Sequence, residues 1–424
     1  MLVEFRVRNY RSIREETVLS FAASPDKAHL DTNTHGTQAT GLPAILRAAV
    51  IYGANASGKT TLVQALALMR GLVVESTTLQ PNQLINVQPF ALDVSSSTAP
   101  TSFEVTVALG EVRYQYGFEF TSLRIVNEWL LVYRNAKPQM WFDRRSDDAG
   151  KQTFQFGSHL TGYKRMWQEA TRSNALFLST AIQLNSEKLR PLYDWFSTSL
   201  QVFMDGGQIP DQFTTNMIQA GQRSSQIVGL MSAADIAIES ISTYSTKGFN
   251  QHFTLDMTTG QTTTKAEEVD MFRPRFRHVV GETSAEFELQ DESQGTQKLF
   301  ALSGPLLDIL DRGSIMVVDE LDRSLHPSLV RKIVETFQNA EINRNGAQLL
   351  FTTHDTSLLD QTLLRRDQIW FTEKQVDQSS TLTPLTDFSP RKGEALEQNY
   401  LAGRYGGVPI LASALIERVS RAIQ

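Results

Sequence analysis

The stretch "ILRAAVIYGANASGKTTLVQALALMRGLVVE", residues 45 to 75, constrains the chain more than any other. A short apolar run ends at Gly53, "GANASGKT" fits the pattern G-x-x-x-x-G-K-[ST], and a run with helical apolar spacing follows. Strand, glycine-rich loop and helix are the context this pattern requires, because loop N–H groups and the helix N-terminus then converge on a phosphate. Gly53 and Gly58 allow close backbone approach, Lys59 would reach the β- and γ-phosphates of ATP, and the Thr60 hydroxyl would ligate Mg²⁺. A chance glycine-rich turn is not expected to satisfy both pattern and context.

Two later apolar runs end in residues that suit the same phosphates. "SIMVVDE" terminates in Asp319 and Glu320. A hard cation that keeps part of its water shell needs a nearby carboxylate, which suits Asp319; the adjacent Glu320 suits a general base that polarises an attacking water. Paired acids at a strand end also serve as helix caps, and only the P-loop upstream favours the catalytic reading. "LLFTTHD" holds an apolar strand that ends at His354. A lone histidine is commonly a packed or surface residue, but this one closes the strand expected beside the Asp319 strand, within reach of the γ-phosphate or the attacking water.

The order of elements predicts an α/β fold split by insertions. Val3, Phe5 and Val7 alternate ahead of "NYRS" like a half-buried strand, and a polar connection runs from about residue 24 to 41. Phe103, Val105, Val107 and Leu109, then Val112, Tyr114, Tyr116, Phe118 and Phe120, alternate around a "GE" turn as a hairpin does. "IVNEWLLVY", "QMWFDRR" and "TFQFG" extend an antiparallel layer to about residue 158. The pattern is helical from Tyr163 to about Ile241, with "ALFLSTAIQL" and "LRPLYDWFSTSLQVF" the clearest cases. Strands resume at "HFTLDM" and "SAEFELQ". An apolar helix interrupted at Gly304-Pro305 follows, then "IMVVDE", a helix from near Pro327, "QLLFTTH", and a last strand near "QIWFTE". The predicted division is an N-terminal core segment at 1–90, an antiparallel β subdomain at 91–160, a mainly helical insertion lobe at 161–280 and a C-terminal core segment at 281–424.

Composition narrows the partners. The absence of cysteine excludes disulfides, thiolate metal sites and Cys nucleophiles, so any metal sits on oxygen or histidine. No apolar run is long enough to span a bilayer and the N-terminus does not read as a signal peptide, which makes the cytoplasm the expected location and a membrane an unexpected partner. A net charge of -6 gives no global attraction for nucleic acid. Arg273, Arg275 and Arg277 share one face if "FRPRFRHVV" is extended, and that face is either a nucleic-acid patch or a solvated strand surface. The tail Tyr400 to Pro409, aromatic and glycine-rich, is either a partner contact or core packing.

The succession P-loop, "DESQGTQKL", "VVDELD", "TTHD" resembles the ABC-type ATPase heads of the SMC, RecF and OLD group. Those heads carry a Walker A loop G-x-N-x-S-G-K, a signature helix, a Walker B ending in Asp-Glu, a D-loop and a switch histidine. The resemblance assigns Asn55, Ser57 and Thr61 to the nucleotide loop, Ser293, Gly295 and Thr296 of "SQGTQ" to the signature, Asp322 of "LDRSLHP" to the D-loop and His354 to the switch. It also implies a Q-loop ligand to the metal, for which Gln88 in "INVQPFAL" is the candidate. The opening "LVEFRVRNYRSI" looks like the start of these heads. The signature lacks the Leu-Ser-Gly-Gly-Gln of transporters, and no sustained heptads suggest the arm of SMC proteins. Within the group, "LRAAVIYGANASGKT", "VQPFALD", "DESQGTQKLF" and "YLAGRYGGVP" look most like compact bacterial AAA-type proteins of the abortive-infection and anti-phage class, RloA-like or OLD-like. That likeness implies a homodimer or higher oligomer gated by ATP and a separate effector protein, a nuclease or toxin. The segment after His354 is too short for the Toprim nuclease of OLD proteins, so no nuclease site is expected here. A RecF-like DNA-binding ATPase and an ATP-binding scaffold with little turnover are the alternatives.

Overall fold

The computed structural model describes residues 1–408 except 136, 148, 205–208, 235 and 256–261; of 249–255 and 262–267 only the backbone is described. The chain divides into two compact units, one of Met1–Gly206, Ile309–Arg323 and Val330–Gln424, the other of Gly207–Asp308 and Ser324–Leu329. Among the described residues no helix is long and apolar enough to cross a membrane.

The first unit holds two sheets. One runs in the order Leu200–Phe203, Ile315–Val318, Gln348–Thr352, Ala48–Gly53, Ile369–Lys374, Ser380–Pro384. Its first five strands are parallel and the last is antiparallel. The strands Ala48–Gly53, Ile315–Val318 and Gln348–Thr352 are buried at every position, which is why they read as unbroken apolar runs rather than alternating ones. Because these three are adjacent and parallel, the P-loop, Asp319 and His354 follow neighbouring strand ends, the place where open α/β sheets bind ligands.

The second sheet is antiparallel and seven-stranded, ordered Gln152–Phe156, Gln139–Ser146, Ile125–Tyr133, Val112–Phe120, Thr101–Leu109, Leu2–Arg8, Thr17–Ser20. Phe103, Val105 and Val107 pair with Phe118, Tyr116 and Tyr114, and all six are buried, as the alternation predicts. The N-terminal strand belongs to this sheet, with Val7 opposite Phe103, so the β layer draws on both sides of the expected boundary at residue 90. Helix Lys59–Glu75 puts Leu62, Leu66, Met69 and Val73 into the same core as Phe5, Val105, Tyr116 and Ile51.

Two sequence expectations give way to long-range pairing. "LRPLYDWFSTSLQVF" is not one helix: it splits into a short helix Arg190–Asp194, a π-helical turn Trp195–Ser199 and the strand Leu200–Phe203, which pairs with Ile315–Val318. A run of four residues carries no period of its own, so the neighbouring strand decides. The region 161–280 is also not one helical lobe. Its first part belongs to the first unit, and its last part is a hairpin of two long strands, Ser240–Leu255 and Thr262–Val280.

The first part is held by a buried ion pair. The fully buried Glu128 carboxylate accepts from Tyr116 Oη (3.0 Å), Arg144 Nη1 (3.2 Å) and the N–H groups of Phe177 (2.6 Å) and Leu178 (3.0 Å). Arg144 also donates to the carbonyls of Ala175 and Arg172. Arg144→Met, which strands the carboxylate, is expected to destabilise the protein by about 3 kcal/mol, read as a shift of the urea midpoint at unchanged slope.

In the second unit, Thr283–Glu288 joins the long hairpin as a third strand, and Phe276 packs edge-on against Phe300 at 5.0 Å. Helix Gln294–Arg312 continues through Pro305 instead of breaking at Gly304-Pro305. The proline leaves the Ala301 carbonyl without its helical donor; Thr214 Oγ1 donates to that carbonyl at 3.0 Å and accepts from Gly304 N–H at 3.1 Å. Thr214 therefore replaces the lost hydrogen bond from outside the helix.

Candidate functional site

The loop after Ala48–Gly53 forms one wall of a cavity of about 630 Å³. Its glycines answer two local demands. Gly58 has φ 114°, and a β-carbon there would collide with Ser380 Oγ; a β-carbon on Gly53 would collide with Thr372 Oγ1. Ser57 is buried beneath the loop with its hydroxyl 2.5 Å from that of Thr372. Asn55, Thr60 and Thr61 line the cavity, and Thr61 Oγ1 lies 3.2 Å from Ser12 Oγ. Lys59 is buried and its ammonium donates to the carbonyls of Gly53 (2.7 Å) and Ala54 (3.1 Å). Burial lowers its pKa, opposed by the carboxylates of Asp319, Glu320 and Asp322.

Glu320, His354 and the exposed Gln88 line the same cavity. Glu320 is half-buried with left-handed backbone, φ 53°, and its Oε2 lies 3.7 Å from Arg323 Nη1. Asp319 is 3% exposed and lies behind the lining, one carboxylate oxygen accepting from Thr352 Oγ1 at 2.7 Å. The N–H of His354 donates to Asp322 Oδ2 at 3.2 Å. Partial desolvation of the imidazole, and then the Lys59 cation, lower its pKa against the pull of three carboxylates, which favours the neutral ring.

These residues fit a nucleotide with its magnesium ion. Asp322 Oδ1 is buried without a hydrogen-bond partner among the described residues, a deficit that a cation or its water shell would satisfy. Among the described residues no cluster of three or more His, Asp or Glu could hold a metal by itself. Thr60 and Gln88 line the cavity and Asp319 lies one residue before the cavity-lining Glu320, oxygen donors of the kind that suit an ion keeping waters and phosphate oxygens.

Residues 48–360 match the family model described as "AAA domain, putative AbiEii toxin, Type IV TA system". The chain belongs to this AAA-domain family. The match spans the P-loop, the "SQGTQ" segment, the Asp319-Glu320 pair and His354. No curated protein matches the chain. Among solved structures, one titled "Crystal structure of the SmcHead bound to the C-winged helix domain of ScpA" aligns at 12% identity and a TM-score of 0.40, over 90% of this chain and 96% of that one.

The cavity of this AAA-domain chain is also lined by residues that sequence reasoning passed over. Arg11 and Ser12, in the "NYRS" turn, line the same cavity as the P-loop. Arg11 has φ 51°, donates its N–H to the Gln88 carbonyl at 2.7 Å, and places Nη1 2.7 Å from Gln64 Oε1. The turn is held by buried Asn9, whose amide donates to the carbonyls of Ser96 and Ala99 and whose Oδ1 accepts from Phe90 N–H. The only sequence signal was the turn itself.

In the second unit, Ser293 caps helix Gln294–Arg312: its Oγ accepts from Thr296 N–H at 3.2 Å, and Gln297 Nε2 donates to the Glu292 carbonyl at 2.7 Å. A β-carbon on Gly295 would lie 2.9 Å from the Ser324 carbonyl. That glycine therefore has a packing reason of its own. Ser293 is exposed, whereas Thr296 is buried. Arg273, Arg275 and Arg277 do share one strand face, but Arg275 pairs with Glu286 (3.4 Å) over the Tyr244 ring and Arg277 with Glu239 (3.1 Å). Two of the three arginines are thus paired with acids.

The tail packs into the first unit. Tyr400 and Tyr405 are buried, each stacked on Phe371 at 5.3 and 5.4 Å, and Tyr400 Oη donates to the Gly407 carbonyl. Pro409 lies outside the described residues.

Proposed function

We propose that this chain is an ATP-binding and ATP-hydrolysing regulatory subunit of a bacterial anti-phage defence system. It pairs with a second copy when ATP is bound, and the pairing controls a separate effector, a nuclease or toxin. One observation carries the reading: the P-loop, the Asp319-Glu320 pair and His354 stand at the ends of three adjacent parallel strands, and Glu320 and His354 line the P-loop cavity. The family description, which refers to a toxin of a type IV TA system, supports the defence context.

In this reading the N–H groups of the loop, with Lys59 and Asn55, bind the phosphates, and Thr60, Asp319 and Gln88 hold magnesium. The magnesium ion, when bound, neutralises phosphate charge. Glu320 takes the proton of the attacking water, neutral His354 hydrogen-bonds at the γ-phosphate, and Asp322 orients the His354 backbone. The exposed Ser293 and the N–H groups of the helix start that follows it serve the nucleotide of the second copy. A contact made to the γ-phosphate alone distinguishes ATP from ADP, which is the differential affinity a switch needs.

Light scattering with and without MgATP tests the pairing. The native protein is expected to double in mass with MgATP, whereas Ser293→Arg should bind MgATP within about twofold of native affinity, since it alters no group of its own cavity, and stay monomeric. A native protein that stays monomeric at saturating MgATP would falsify the pairing.

A further inference from the structure

We infer that Thr352 is a positioning residue for both acids at the end of the adjacent strand; the inference rests on the nucleotide-site reading above. Thr352 is fully buried and ends the strand Gln348–Thr352. Its hydroxyl donates to Asp319 Oδ1 at 2.7 Å and accepts from Glu320 N–H at 2.8 Å, while its carbonyl accepts from Leu321 N–H at 3.1 Å. The directions are fixed by chemistry, because an ionised carboxylate can only accept and a backbone N–H can only donate.

One hydroxyl thereby does two things. It fixes the Asp319 side chain by one oxygen and leaves the other for a cation. It also accepts from the N–H of Glu320, whose left-handed conformation, φ 53°, a residue with a β-carbon adopts at a cost, so the bonds to Glu320 and Leu321 help keep the general base turned at the strand end. On its other side Thr352 lies opposite Ile51 in the strand that leads to the P-loop. It thus lies between the acid pair and the strand that leads to the phosphate loop. A buried threonine needs only one partner to be satisfied; this one uses both its donor and its acceptor on the two residues with proposed chemical roles.

Valine keeps the shape and removes the hydroxyl, and serine keeps the hydroxyl and removes the methyl. The test compares native protein, Thr352→Val and Thr352→Ser for affinity toward a fluorescent ATP analogue in Mg²⁺ and in EDTA, and for the turnover of ATP. In EDTA the valine variant is expected within about twofold of native affinity, while the gain in affinity on adding Mg²⁺ and the turnover number each fall about tenfold or more; serine restores both to within about threefold. Thr352→Ala repeats the comparison if the valine variant does not melt cooperatively. Valine and alanine variants that keep the native Mg²⁺ gain and turnover overturn the inference alone, as does a serine variant as impaired as valine, which would assign the effect to the methyl. A native protein that binds no nucleotide in either condition overturns the nucleotide-site reading and this inference with it.

Discussion

Glu320→Gln is expected to lower the rate of ATP hydrolysis by about 10³-fold while leaving MgATP affinity within about threefold of native. Glutamine matches glutamate in shape and can hydrogen-bond a water, but it cannot take the proton. Thr352 holds position 320 through its backbone N–H and Asp319 through a separate bond, so neither hold depends on the lost charge. The neighbouring Arg323 loses an exposed ion pair at 3.7 Å, an interaction of little weight. The variant should therefore accumulate with ATP bound, as a species of doubled mass, and single-turnover phosphate release measures the defect. Release at the native rate would remove Glu320 from the role of base.

Lys59→Met is expected to weaken MgATP binding by about 10³-fold, because the ammonium is a buried cation whose loss leaves phosphate charge unpaired. Its two carbonyl acceptors, on Gly53 and Ala54, belong to the loop that would wrap the phosphates. Without nucleotide, the substitution should cost little stability: burial already disfavours the charged lysine, as its lowered pKa indicates, and methionine fills a similar volume without that penalty. Calorimetric titration reads the affinity and a thermal melt without nucleotide reads the stability. A loss of affinity smaller than tenfold would mean that Lys59 does not face the phosphates.

The P-loop was legible in the sequence because its demands are local. Gly58 is glycine for its φ of 114° and for the nearness of Ser380, and such needs leave a pattern within a few residues. The strands leading to Asp319 and His354 were legible because burial on both faces of a parallel sheet makes a short run largely apolar. The strand Leu200–Phe203 was not, since four residues have no distinguishing period and its partner Ile315–Val318 lies far along the chain. Pro305 misled for a related reason. The rule that proline ends a helix holds for the helix alone, and Thr214 supplies from elsewhere the donor that Ala301 lost.

By itself the sequence determined the chemistry present: a phosphate loop with Lys59 and Thr60, a paired Asp319 and Glu320, and His354 after an apolar strand. Only the tertiary structure decided which side chains surround it. It brought Arg11 and Ser12 to the cavity wall, set Thr352 against Asp319 across neighbouring strands, and paired Arg275 and Arg277 with acids. The physical reason is that sequence periodicity specifies which face of an element is buried, whereas the neighbour each side chain meets depends on strand order and register, which form only when distant segments pair.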